Sequence, residues 1–161
     1  MKIQIALTSL ALIFSSGTFA APSTTPDQPG SVQNDQELVA DLQAQRGADY
    51  VQAGNLEVIQ ILPDDVTGLP HQKWIARTSA GESITIVYNS NMGTRVPIKV
   101  GDRFAVGGKL LWLGHSGLIH WTHDDPRKTR PDGYIFLGGV VYGDTDHEDD
   151  HGGSHGFRQA K

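Results

Sequence analysis

The stretch GLIHWTHDDPRKTRPDGYI, residues 117–135, gathers more groups able to do chemistry than any other part of the chain. His120 and His123 supply imidazoles, which titrate near neutral pH and ligate transition metals. Asp124 and Asp132 supply carboxylates, and Arg127 a guanidinium suited to an anionic ligand. Residues three apart face one way on a helix but opposite ways on a strand. On a regular strand, His120, Thr122 and Asp124 share one face, and Trp121, His123 and Asp125 the other. With Trp121 expected in the core, His120 and Asp124 line the outside. A shared site for both histidines then requires a bend at 122–124, where Asp125-Pro126 signals a turn. The plainer reading is a strand running into a polar turn. Pro131-Asp132-Gly133 is a turn signature in its own right, and Arg127, Lys128 and Arg130 either bind an anionic ligand or pair with the neighbouring aspartates. Exposed pairs of that kind contribute under about 1 kcal/mol.

Two further clusters stand out. The loop LPDDVTGLPHQKW brings Asp64, Asp65 and His71 close in sequence, either as ligand-binding groups or as turn residues followed by a strand-entry histidine. The C-terminal DTDHEDDHGGSHGFRQAK spaces His147, His151 and His155 by four among acidic residues. Imidazole with carboxylate suits a divalent metal such as Zn, Cu or Ni. A tail that must be ordered on binding would bind weakly and unselectively, and it serves equally as a solubilising extension. Several catalytic templates are absent: there is no cysteine nucleophile, G-x-S-x-G elbow, H-E-x-x-H or phosphate loop. What stays open is metal-assisted or histidine/carboxylate acid–base chemistry.

The elements that must position these groups follow from patterning. Residues 1–20, MKIQIALTSLALIFSSGTFA, read as a secretory signal peptide: Lys2, an apolar run from Ile3 to Phe14, and small residues Thr18 and Ala20 before cleavage after Ala20. A buried N-terminal helix is the alternative. This places the protein in the periplasm or outside the cell. With no cysteine, it would hold together there without disulfides or a lipid anchor. Residues 21–34 have the composition of a disordered leader, and 144–161 of a disordered acidic tail.

Between them, 35–143 hold a short helix capped by Asn34 or Asp35, with Leu38, Val39 and Leu42 on one face and Gly47 as its stop. Period-two segments at 56–62, 73–79, 83–89, 103–114, 118–123 and 133–143 follow. Five or six short strands, with a Gly107-Gly108 bend, predict an all-β fold: a small OB-type barrel. A distorted sandwich is the runner-up. Trp74, Phe104, Trp112, Trp121, Tyr134 and Phe136 are the expected bulky core. In this arrangement the 63–70 and 115–117 loops share a side. That sets His71 toward His115 and leaves His123 and Asp124 at the opposite rim.

Three stretches carry a resemblance: VIQILPDDVTGLPHQKWIAR, RVPIKVGDRFAVGGKLLWLG and GLIHWTHDDPRKTRPDGYI. Over roughly residues 50–137 the chain resembles a bacterial family of small exported proteins, domain-of-unknown-function family 3465. The family run resembles H-W-T-H-H-D-P-R-G-x-H-P-D-G. This chain keeps His120, Trp121, Thr122, His123, Pro126, Arg127, Pro131, Asp132 and Gly133, and departs at Asp124 and Arg130, where the family has histidines. If those histidines ligate a metal, the resemblance implies a weakened site here, with Asp124 the one substitute able to ligate. It implies an OB-like exported domain and brings no activity with it.

The formal charge of −5 argues against a nucleic-acid partner. The expected function is an exported OB-like binding module, probed at its polar rim by a small ligand, a metal ion or an envelope protein. It is expected to be monomeric, with no membrane span. A metal-dependent hydrolase acting on phosphodiesters through His120 and His123 is the alternative, and a purely structural envelope protein the third option.

Overall fold

A computed structural model describes residues 28–65 and 68–143 of the chain. The strands are β1 (Ala48–Asp65), β2 (His71–Arg77), β3 (Ser83–Asn89), β4 (Arg103–Trp112), β5 (Gly117–His120), β6 (Tyr134–Leu137) and β7 (Val140–Tyr142), preceded by helix α1 (Gln36–Gln43). β1 pairs with β2, β2 with β3, β3 with β5, β5 with β4, and β4 returns to β1. That closed ring, with a single parallel pair β3–β5, is the expected OB-type arrangement.

β1 is far longer than the predicted 56–62, because it serves two partners. Residues 48–57 pair with β4 and residues 57–65 with β2. Register shifts at Ala48/Val51, Ala53/Leu56, Val58/Gln60 and Leu62/Asp65 let it bend around the barrel. β4 carries β5 along residues 109–112 and β6 along residues 105–107. β6 and β7 form a hairpin rather than one strand, because Gly138 (φ 60°) and Gly139 (φ 88°) are both left-handed. The Gly107-Gly108 pair serves close approach: a Cβ at Gly108 would lie 2.7 Å from the His120 carbonyl oxygen, and one at Gly107 2.6 Å from Tyr50 Oη.

The interior is filled by Val51, Leu56, Trp74, Ile84, Ile86, Phe104, Leu110, Ile119 and Ile135. Trp74 meets Phe104 edge-on at 5.8 Å. Of the other expected bulky residues, Tyr134 is buried, Trp112 and Phe136 are half-buried, and Trp121 is exposed.

Helix α1 plugs the end of the barrel where β5 begins. Leu38 and Leu42 are buried, each contributing about 1.5–3 kcal/mol, and Val39 is half-buried. Gly117 has no room for a Cβ because Leu42 occupies that space. Asp35 stands at the N-cap without capping through its side chain. Its carboxylate instead accepts the Ser79 N–H and hydroxyl, both at 2.6 Å, so it ties the helix to the β2–β3 turn. Asn34 Oδ1 takes the Gln36 N–H at 3.2 Å. The helix ends at Gln43, and Gln45 (φ 54°) takes the left-handed position before Gly47 is reached.

The last residues of the compositional leader are packed. Pro29–Ser31 form a 3-10 turn, Gly30 lies against Phe136, and the Gly54 N–H donates to Asn34 O. The proposed signal peptide and the acidic tail lie outside the described residues. Among those residues no helix is long and apolar enough to cross a membrane.

Candidate functional site

Strand direction decides which polar groups meet. β2 is antiparallel to β3, so His71 at the start of β2 lies across from Asn89 at the end of β3. β5 is parallel to β3, with Ile86 opposite Ile119, so His120 ends at that same rim. The two rings are 5.6 Å apart and tilted by 48°. The expectation that His71 and the end of β5 occupy opposite rims is therefore wrong. The parallel β3–β5 pair reverses it, and His115 belongs to the β4–β5 turn at the other end, beyond the Trp112–Gly117 pairing.

The chain leaves the strand after His120, three residues before the expected end at His123. Trp121 adopts φ 57°, a left-handed conformation costing about 1–2 kcal/mol for a bulky residue. This breaks the period-two alternation. Trp121 swings outward and is 37% exposed, while Thr122 takes the inward position, fully buried, its hydroxyl donating to Val87 O at 3.0 Å. The expectation that Trp121 anchors the core fails for that reason. Outside, the Trp121 ring carries the Arg130 guanidinium at 4.2 Å and Lys109 Nζ at 5.3 Å, and it lies 6.3 Å from the His120 ring. Lys109 is also the cross-strand partner of His120 and pairs with Asp49 at 2.9 Å.

His123 follows with Nδ1 2.6 Å from the Asp124 carbonyl oxygen. A carbonyl only accepts, so in this contact Nδ1 carries the proton, and Nε2 is left outside it. The segment 124–133 is built around one buried carboxylate. Asp125 accepts the N–H groups of Thr129 (2.7 Å), Arg130 (3.1 Å) and Arg127 (3.3 Å) and the Thr129 hydroxyl (2.9 Å). Burial pushes its carboxyl up, yet these donors outweigh it and hold the group down at about 2. Asp132 closes the loop by accepting the Asp125 N–H at 2.7 Å and Lys128 Nζ at 2.9 Å. Gly133 then passes against the backbone of residues 121–123, donating to His123 O at 2.9 Å. A Cβ there would overlap the Trp121 carbonyl and come within 2.8 Å of His123 N.

The loop thus delivers Arg130 to the histidines. The His120 imidazole is held below its ordinary value, first by partial burial and then by electrostatic repulsion from His71, His123 and Arg130. Arg130 itself is only loosely paired. Its Nη2 stays 3.9 Å from Asp125 Oδ1, its Nε is buried without a partner, and its guanidinium makes no hydrogen bond among the described residues.

The sequence candidates divide accordingly. His71, His120 and His123 share one rim, and Asp65 lies across the β1–β2 ladder from His71. Asp64 turns away to bind Arg95 at 2.6 Å. The Asp124 side chain lies 3.5 Å from Lys128, Asp132 is spent on the loop, and Arg127 is exposed. His147, His151 and His155 lie outside the described residues. Among those residues, no group of three or more His, Asp or Glu side chains is placed to hold one metal ion. The sequence reading offered Arg130 only as one of three basic residues able to bind an anion or pair with aspartates, left out Lys109, and sent Trp121 to the core. Basic residues around an aromatic were visible, but their convergence depends on the bend at Trp121 and on Asp125.

The family model for the protein of unknown function DUF3465 matches residues 22–143. No curated protein and no solved structure matches the chain. The chain belongs to the DUF3465 family.

Proposed function

We propose that this DUF3465 protein is an exported OB-type binding module whose rim, formed by His71, His120, His123 and Arg130, takes a small oxyanion. One observation carries the reading. Arg130 is held over Trp121 with only a long ion pair of 3.9 Å to Asp125, beside two imidazoles brought from separate strands. A guanidinium offers carboxylate or phosphate oxygens a planar fork of N–H donors. Neutral imidazoles add further donors, and protonation adds charge. Binding would strengthen on acidification, because an anion offsets the repulsion that His120 suffers from His71, His123 and Arg130. Lys109, paired with Asp49, lies across from His120, and Asp65 lies across from His71. Isothermal titration with inorganic phosphate and with acetate, at pH 6 and pH 8, tests the proposal. Binding should be tighter at pH 6 and lost in Arg130→Gln. Equal binding by Arg130→Gln would remove it.

A second reading, a metal-dependent phosphodiester hydrolase, draws support from the His71–His120 ring separation of 5.6 Å and from His123 Nε2, which the Asp124 carbonyl does not engage. Zinc-stimulated turnover of bis-p-nitrophenyl phosphate, abolished by His120→Ala, would favour it. No turnover with zinc, copper or nickel would discard it.

A further inference from the structure

Gly143 is locked onto the rim. Its carbonyl accepts the Asp124 N–H at 2.8 Å, and a Cβ on it would come within 2.6 Å of the Thr122 carbonyl oxygen and 2.8 Å of His123 Cα. The chain therefore passes on to residue 144 from beside His123, at the foot of the 124–133 loop. The run that follows, DTDHEDD (144–150), holds five carboxylates, Asp144, Asp146, Glu148, Asp149 and Asp150, and no Lys or Arg. The family match ends at Gly143, so this acidic run lies beyond it.

The neighbouring loop carries guanidiniums with charge to share. Arg127 is exposed and has no acidic side chain within ion-pair distance among the described residues. Arg130 has only the 3.9 Å pair to Asp125, and its Nε is buried with no hydrogen-bond partner among the described residues. The acids nearby are already engaged. Asp125 is buried under the donors of its own loop, Asp132 holds the Asp125 N–H and Lys128, and Asp124 lies 3.5 Å from Lys128. On the strands, Asp49 pairs with Lys109, and Asp65 lies across from His71.

Reach is not limiting. A chain extends by up to about 3.3 Å per residue, so residues 144–150 can span roughly 23 Å. The Trp121 ring lies 4.2 Å from Arg130 and 6.3 Å from the His120 ring, well inside that span. Exposed ion pairs are individually weak. A segment joined covalently to its own surface, however, meets it at an effective concentration of about millimolar.

We propose that the acidic run 144–150 docks on the 124–133 loop, its carboxylates bridging Arg127 and Arg130, and so competes with a free oxyanion for the rim. The competition rests on the oxyanion reading, whereas the docking does not. Burial, the first cause of the depressed His120 imidazole, is untouched by such docking.

The test compares the full chain with a full-length variant whose run is neutralised by Asp144→Asn, Asp146→Asn, Glu148→Gln, Asp149→Asn and Asp150→Asn. Without added anion, the Trp121 indole cross-peak in ¹H–¹⁵N spectra, assigned with Trp121→Phe, should differ between the two chains. The buried Trp74 peak should stay in place. The difference should vanish in an Arg127→Gln/Arg130→Gln background, and inorganic phosphate should bind the neutralised variant about five-fold more tightly. Identical Trp121 peaks would overturn the docking, whatever phosphate does. Differing peaks with phosphate bound by neither chain would uphold the docking and remove the oxyanion reading. Equal phosphate affinity in the two chains would overturn the competition. A difference abolished by EDTA would overturn the proposal by making the run a metal ligand, and one that fades on dilution would do so by supplying it from a second copy.

Discussion

Gly133→Ala is the sharpest test of how the 121–133 segment is built. Gly133 lies against backbone rather than side chains. An added Cβ would overlap the Trp121 carbonyl oxygen and come within 2.8 Å of His123 N and 2.9 Å of Thr122 Cα. Backbone cannot rotate aside as a side chain can, so the 131–133 segment must lift. Overpacking costs about 1–3 kcal/mol, and losing the buried Gly133 N–H bond to His123 O adds about 1–3 kcal/mol. We expect about 3–5 kcal/mol, a large share of the roughly 5–15 kcal/mol typical of a whole domain. At about 4 °C per kcal/mol for a domain of this size, the melting temperature should fall by about 12–20 °C. Calorimetry or circular dichroism reads this directly. Gly138→Ala is the control: its φ of 60° imposes strain of about 1–2 kcal/mol, but nothing lies within 4 Å of the added methyl. If Gly133→Ala melts within a few degrees of Gly138→Ala, the close-approach argument is wrong.

Other expectations follow from the same geometry. Asp35→Ala should cost about 2–4 kcal/mol by leaving the Ser79 amide without its acceptor and freeing helix α1, whereas Ser79→Ala, keeping the amide, should cost about 1 kcal/mol; urea unfolding of both variants checks the ordering. In an NMR titration His120 should titrate below the ordinary value of about 6.5. Its folded pKa is depressed, so its contribution to stability is complete above that value and is lost as pH falls through the folded pKa; an unshifted His120 would contradict the crowded rim. Asp125, held at about 2, should stay ionised through mild acid, its contribution present above the unfolded value of about 3.9 and lost as pH approaches 2. Carboxyl ¹³C shifts across that range would show it, and a midpoint near 4 would refute the donor cluster around it.

Much of the barrel was legible because burial on one face of a strand writes period-two alternation into the sequence. β3 was placed at Ser83–Asn89 without error, since Ile84, Ile86 and Tyr88 all face inward. β1 was shortened because its bulges break the alternation that pattern reading relies on. The β6–β7 hairpin was merged because its Gly-Gly turn lies inside one apolar run. The site was legible in its residue types but not in its geometry. His120 and His123 stood out as titratable groups, yet parity reasoning assumed a regular strand through Trp121. A left-handed tryptophan has no local sequence signature, being set by the Arg130 stack, the burial of Thr122 and the backbone of Gly133. The meeting of His71 with His120 is a property of the parallel β3–β5 pairing, forty-nine residues apart in sequence, and no short-range pattern encodes it.

The central claim is that Arg130 and the His71–His120 pair form one oxyanion seat, and the most direct measurement is the His120 pKa with and without inorganic phosphate. A bound anion favours the protonated imidazole, so saturating phosphate should raise that pKa by about one unit, equivalent to about 1.4 kcal/mol of coupling. The rise should vanish in Arg130→Gln. A His120 pKa that ignores phosphate, or that rises equally without Arg130, would contradict the account.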